Sequence, residues 1–354
     1  MSQRTLMVMA GGTGGHVYPA MAVADILREK GWRVVWLCTE GGMENRLIAD
    51  KPYQKAMIQM RGVRGKGLLT WIGMPIAVLR ALLQSMAAFR MYQPNVVLGM
   101  GGFAAFPGGI AAKLLGRPLV IHEQNSVAGL TNRVMAKLAK KSLCAFPHAL
   151  PKAELVGNPV RADICQLATP SARMAKRAGK LRILVVGGSL GAQALNQTVP
   201  AALALLAKNQ RPKVVHQAGS KHIQDLQTHY RQHAVEADCR EYLQDMAHWY
   251  DWADFVICRA GAMTVAELSA VGLGSLLVPF PHAVDDHQTT NAAYLANAGA
   301  AVLIQQKDLT AQKLADLLAG LTHEKCLAMA EQAHLLGKPQ AAQVVASRCE
   351  ELAA

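Results

Sequence analysis

The 354-residue sequence has no uncharged apolar run of eighteen residues or more, so no transmembrane helix is expected. The opening MSQRTLMVMAGG holds a short apolar stretch, too brief to read as a signal-peptide core. Its 7 cysteines are odd in number and scattered, with no CxxC pair. That spacing argues against a disulfide scaffold or a structural zinc site and favours a reducing cytoplasm. Asp-x-Asp, the usual metal clamp on a sugar-nucleotide diphosphate, is absent; Glu236-x-Asp238 comes nearest and reads as loop. No metal site and no cofactor are therefore expected. No basic repeat laced with aromatics is present either, so no nucleic-acid partner is expected.

Acidic residues are missing from one long stretch. Between Lys51 and His122 there is no Asp or Glu, against nine Lys or Arg. Residues 1–160 hold 19 Lys and Arg against 7 Asp and Glu, a net +12 of the chain's +13. One half of the molecule is therefore expected to meet something anionic: a membrane face, a nucleic acid or a phosphorylated substrate. The length suits two domains, each with its own core.

What is present is a pattern that occurs twice. Leu6–Ala10 reads as a buried strand, Gly11-Gly12-Thr13-Gly14-Gly15-His16 as a turn, and Pro19 to Lys30 as a helix, followed by a strand from Trp32. At Arg182–Val186 the pattern restarts, with Gly187-Gly188 closing the strand and a helix after Gly191. The expected fold class is α/β: two Rossmann-like, doubly wound domains facing a cleft. The division is placed at 1–160 and 161–337, with a C-terminal helix near 338–354 packing back on the first domain.

Further glycine-rich or polar segments fall at strand ends: Gly101-Gly102-Phe103 after the strand Asn95–Met100, and His122-Glu123-Gln124-Asn125 after Leu119–His122. Ligands bind at the carboxyl ends of such strands. The first turn is neither GxGxxG, since Val17 takes the third glycine's place, nor a Walker A loop. His16 reads as a general base or as a capping or exposed residue. At a helix start the imidazolium is disfavoured, which suits a base.

The segment 254–291 holds a buried strand, a break at Gly261, a helix with Thr264 and Glu267 in its early turns, and the polar loop Asp285-Asp286-His287-Gln288. A strand feeding a glycine turn and a helix start presents backbone N–H groups to a phosphate. Glu267 then suits a ribose diol; equally, Thr264-x-x-Glu267 fits a capping box. Arg61 to Arg90 also reads two ways. Arg61, Arg64 and Lys66 precede Trp71 and the helical spacing of Ile72, Ile76, Leu79, Leu83 and Met86, which fits either an anionic membrane surface or a core-facing helix.

The ordered motifs MAGGTGGH, GMGG, HEQN, GNPVR, VVGGS, CRAGA-TV-E and DDHQTTNA resemble, in the same order, those of the MurG family of peptidoglycan glycosyltransferases. The resemblance implies a GT-B fold and inverting transfer of N-acetylglucosamine from UDP-GlcNAc to lipid I, without an obligatory metal, at the cytoplasmic face of the membrane. It implies His16 as base on the MurNAc 4-hydroxyl. It implies UDP-GlcNAc contacts at Thr13, Gly14, Gly15, Asn125, Arg161, Ser189, Leu243, Ala262, Met263, Thr264, Val265, Ala266, Glu267 and Gln288, with Leu243 by the uracil and Glu267 on the ribose. Gly11, Gly12, Gly101 and Gly102 would form the acceptor loops. Four residues depart from the family pattern: Leu190 for Gln, Phe103 for Tyr, Ala105 for Ser and Ala260 for Ser. Competing readings are a dinucleotide oxidoreductase using Glu40, a non-catalytic sugar-nucleotide binder, and a GT-B enzyme with another lipid-linked or natural-product acceptor.

Overall fold

Thr5–Ala10 is buried at all six residues, and the apolar run Leu6–Ala10 within it makes the central strand β1 of a parallel sheet covered on both faces. The computed structural model describes residues 3–60, 74–188 and 191–353. The chain divides into two compact units, Met1–Arg161 with Pro339–Ala354, and Ala162–Lys338.

In the first unit β1 is joined by β2 (Arg33–Thr39), β3 (Gln54–Ile58), β4 (Val96–Gly101), β5 (Leu119–Glu123), β6 (Lys141–Cys144) and β7 (Glu154–Leu155). The order is β3-β2-β1-β4-β5-β6-β7 with every pairing parallel. The direction of winding reverses between β1 and β4, and their register shifts at Met9–Ala10, just where the glycine loops begin.

The second unit repeats the plan with β8 (Arg182–Val186), β9 (Lys213–Gln217), β10 (Asp238–Arg240), β11 (Phe255–Cys258), β12 (Gly274–Leu277) and β13 (Ala301–Leu303). Its order is β10-β9-β8-β11-β12-β13, again parallel, with the reversal between β8 and β11. Two doubly wound parallel sheets bear out the expected α/β class with two Rossmann-like domains.

Helix boundaries differ from the sequence reading in two places that matter. The first helix starts at Gly14, not Pro19, and runs to Glu29 with Pro19 inside it. Pro19 is its sixth residue, so its missing N–H costs one early intrahelical bond without ending the helix. The Asp285-to-Gln288 loop instead holds a 3-10 turn (Val284–Asp286) and the start of the helix His287–Ala296. Asp285 and Asp286 take positive φ, 52° and 49°, which lets the chain turn sharply into that helix.

The C-terminal helix Ala341–Leu352 packs on the helix Gly14–Glu29 in the first unit's core, with Val345, Ala346 and Cys349 fully buried. Burying one such valine is worth roughly 1.5–3 kcal/mol. Arg348 donates to both Glu154 oxygens from Nε at 3.2 and 3.1 Å, and Lys30 pairs with Glu350 at 2.7 Å.

Candidate functional site

At the first switch point β1 feeds Gly11 and Gly12 into the helix headed by Gly14 and Gly15, with Thr13 extended at its N-cap. Gly101 ends β4 and Gly102 follows it, with φ +111° and +90°. A Cβ on Gly102 would collide with the Gly11 carbonyl, so only glycine lets these two loops meet. Beneath them lies Glu44, fully buried. Its carboxylate accepts from the Thr39 N–H at 2.8 Å, the Thr39 hydroxyl at 2.6 Å and the Gly12 N–H at 3.3 Å. Glu44 therefore straps the first loop to the end of β2.

His16 is the third residue of the helix and is not its cap. Its ring lies against Gly101, where a Cβ would stand 3.0 Å from it, and its Nδ1 is 2.6 Å from Gln124 Oε1. Gln124 Nε2 donates to the His122 carbonyl at 2.8 Å and stands 3.0 Å from His122 Nδ1. His122 Nε2 is 2.8 Å from the Gly157 carbonyl. Burial lowers the His122 pKa to about 4, the bond to Gly157 opposing the shift, so the ring is neutral at pH 7. Of the HEQN segment only Asn125 approaches the surface. His122, Glu123 and Gln124 lie at the carboxyl end of β5, where the sequence reading put the segment, and are buried there. Glu123 accepts from the Asn125 and Gly129 amides and from Asn132 Nδ2, so it braces the loop. Arg161 stands partly exposed at the end of the GNPVR segment.

The second unit has its own glycine turn at its switch point. Gly187 and Gly188 close β8, and a Cβ at Gly191 would collide with the Ala218 carbonyl. Ser189 and Leu190 lie outside the described residues. Gln217, at the end of β9, donates to the Gly188 carbonyl at 2.9 Å and accepts from the Leu243 N–H at 3.3 Å. One side chain thus ties the glycine loop to the buried Leu243. Beside Leu243 is a depression of about 460 Å³ lined by Arg240, Tyr242, Asp245, His248 and Trp249, with Arg240 over the Trp249 ring at 4.5 Å.

After β11 the helix Ala262–Val271 begins with Gly261 as N-cap and no side-chain cap bond. Thr264 is its third residue and Glu267 its sixth, so the capping-box reading fails: that motif needs Thr at the cap itself. Gly261 has no side chain to cap with, and Ala262, Met263 and Thr264 form the first turn of the helix. Val265 is buried, and Ala266 and Glu267 are partly exposed. The Tyr250 hydroxyl donates to Glu267 Oε2 at 2.9 Å.

Asn291 Nδ2 donates to the Ala260 carbonyl at 3.2 Å, and Gln288 Oε1 accepts from the Phe280 N–H at 2.9 Å. Arg259 donates to the carbonyls of Val278 and Pro279 and to Gln306 Oε1, and burial lowers its pKa. Sequence reasoning missed Glu44, Gln217, Tyr250, Arg259 and Asn291 as loop braces, because their roles depend on contacts distant in sequence.

Among the described residues no group of three His, Cys, Asp or Glu could hold a metal ion, and no helix is long and apolar enough to cross a membrane.

Residues 6–144 match the N-terminal domain model of glycosyltransferase family 28, and residues 182–345 its C-terminal domain model. The chain is 56% identical over 353 residues to a Cupriavidus metallidurans protein named UDP-N-acetylglucosamine–N-acetylmuramyl-(pentapeptide) pyrophosphoryl-undecaprenol N-acetylglucosamine transferase, covering 100% of this chain and 99% of that one. A Burkholderia thailandensis protein of the same name is 56% identical over 354 residues, covering 99% of this chain and 96% of that one. Among solved structures, Acinetobacter baumannii MurG matches with a TM-score of 0.88 and 38% identity, covering 98% of this chain and 99% of that one.

Proposed function

Because the chain belongs to glycosyltransferase family 28 through both of its units, we propose that it transfers N-acetylglucosamine from UDP-GlcNAc to undecaprenyl-pyrophosphoryl-MurNAc-pentapeptide in peptidoglycan synthesis. The observation that carries this reading is 56% identity along the whole chain to transferases named for that donor and acceptor.

In this reading the second unit takes the donor. The Gly261 helix end receives the diphosphate, its N–H groups and positive end meeting negative charge. Glu267, oriented by Tyr250, accepts from the ribose hydroxyls. The Leu243 depression, with Tyr242 and Trp249 in its wall, suits a uracil ring. Gln288 holds the Phe280 turn and so shapes the rim of the site. Within this unit Ser189 completes the proposed donor contacts.

The first unit takes the acceptor. Gly12 spends its N–H on Glu44, so amides elsewhere in the two glycine loops are the ones offered to the acceptor's diphosphate. His16 takes the proton from the MurNAc 4-hydroxyl as its oxygen bonds to the anomeric carbon. The bond to the diphosphate oxygen breaks, and its electron pair leaves on UDP. Attack from the face opposite UDP inverts the anomeric centre.

A peripheral place on the cytoplasmic membrane face follows from the same reading. In the helix Met74–Tyr92, Ile76, Leu79 and Leu83 are 69%, 56% and 59% exposed, while Ala81, Ser85 and Phe89 are buried. The helix turns one face to the core and leaves an apolar face outward, which suits interfacial contact. Arg61, Arg64, Lys66, Trp71 and Ile72 lie outside the described residues.

Steady-state release of UDP from UDP-GlcNAc, with and without a short-chain lipid I analogue, tests the proposal. Release that depends on the acceptor supports it. Release at the same rate without acceptor counts against it.

A further inference from the structure

The contacts behind His16 determine which ring nitrogen carries hydrogen. Gln124 is 1% exposed, and its Nε2 lies 2.8 Å from the carbonyl oxygen of His122. Exchanging the amide's oxygen and nitrogen would put two oxygens at that distance with no hydrogen between them. The amide orientation is therefore set by a backbone atom, whose acceptor character cannot change. Oε1 must face His16, and at 2.6 Å from Nδ1 it can only accept. His16 Nδ1 then carries hydrogen.

A second argument reaches the same amide from the other end. His122 Nε2 is 2.8 Å from the Gly157 carbonyl, so Nε2 bears the hydrogen and Nδ1 its lone pair. Gln124 Nε2, 3.0 Å away, donates to that lone pair. Two carbonyls from separate parts of the chain, at His122 and Gly157, thus fix one chain of donors in one direction.

We infer that Gln124 is a positioning residue that locks His16 in the Nδ1–H tautomer and leaves Nε2 as the nitrogen that takes the acceptor's proton. The inference deepens the proposed function and rests on His16 acting as base. In the step, the acceptor O–H bond breaks and its proton bonds to the Nε2 lone pair. The freed oxygen pair bonds to the anomeric carbon as UDP departs. The imidazolium so formed still donates Nδ1–H to Gln124. A neutral amide here does the orienting that a carboxylate does in a serine-protease triad, where an orienting partner holds the base in one tautomer. A wrong tautomer would aim a hydrogen at the hydroxyl in place of a lone pair.

The direct test is side-chain ¹⁵N NMR of histidine in the full-length protein, with His16 assigned by its loss in His16→Ala. The neutral ring of His16 is expected to be protonated at Nδ1 and bare at Nε2. An Nε2–H ring in the wild-type protein overturns the inference, and this measurement needs no folded Gln124 variant.

Gln124→Met keeps the side chain's length and removes both its acceptor and its donors. The Nδ1–H preference should then be lost, and kcat should fall at least ~10-fold, inside the ~10²–10⁴-fold that a positioned base supplies. KM for UDP-GlcNAc should stay unchanged, since Gln124 would act only on the base. A variant with wild-type kcat and an unchanged His16 tautomer also overturns it. If His16→Ala retains turnover, the base role fails, while the wild-type tautomer still decides whether Gln124 orients the ring.

Discussion

His16 and Glu267 occupy comparable places in their own units, each in the early turns of a helix that leaves a switch-point strand. Their proposed tasks differ, so their substitutions should separate in kinetics. His16→Ala should lower kcat by ~10²–10⁴-fold and leave UDP affinity intact, because a base acts in the transition state. Glu267→Ala removes charge-assisted bonds worth about 1.5–3 kcal/mol and should raise KM for UDP-GlcNAc by roughly 10- to 100-fold. Steady-state kinetics on both variants checks the pair. A Glu267→Ala defect confined to the acceptor would contradict the ribose role.

These two residues could be picked out of the sequence because each follows a strand and a glycine turn, a pattern visible over a dozen residues. Gln124 sat inside a motif that was noticed, yet its task was not visible. Its partners are His16, 108 positions away, and Gly157 through His122, 35 positions from that histidine. Glu44 and Gln217 were missed for the same reason.

At the scale of elements, central strands were the legible ones. Leu6–Ala10 in β1, Ile183–Val186 in β8 and all of β11 are continuous apolar runs, and burial on both faces of a parallel sheet demands such runs. β3, with only Ala56 and Ile58 buried among its five residues, and the two-residue β7 are edge strands whose sequences carry little of that signal. Capping was misread at Thr264, since the true cap is a glycine and carries no side-chain signature.

The C-terminal helix supplies a pH-dependent link. Hydrogen bonds from Arg348 first, then Lys141, hold the Glu154 carboxyl down at about 2 from its ordinary 4.5. A carboxyl depressed in the folded state stabilises in full above its unfolded value. That contribution is lost as pH falls from about 4.5 to about 2. Because the pair is largely solvated, its worth is at most about 1 kcal/mol. Protection factors in residues 341–352, with each rate referred to the intrinsic exchange rate at the same pH, should therefore fall on acidification through that window. Arg348→Ala should remove most of the pH dependence. An identical pH response in wild type and variant would contradict the assignment.

Across the whole molecule, the charge split is the feature that composition alone displayed. Nearly all of the net +13 lies in residues 1–160, and the same unit carries the outward apolar face of Met74–Tyr92. Binding to vesicles should strengthen with anionic lipid and weaken as salt rises, because charges beyond about 8 Å are screened at 0.15 M. Replacing Ile76, Leu79 and Leu83 together by Ser should reduce sedimentation with vesicles while leaving UDP affinity unchanged. Equal binding to neutral and anionic vesicles would assign the basic half another use.

The two doubly wound units, the family match through both and the 56% identity along the chain agree on one enzyme class. The central claim is inverting transfer of N-acetylglucosamine to the 4-hydroxyl of the acceptor's MurNAc. Determining the linkage of the disaccharide formed from UDP-GlcNAc and a lipid I analogue, by NMR of the purified product, tests it most directly. The account predicts a β-configured bond from GlcNAc C1 to MurNAc O4. An α-configured bond, or attachment at any other hydroxyl, would contradict it.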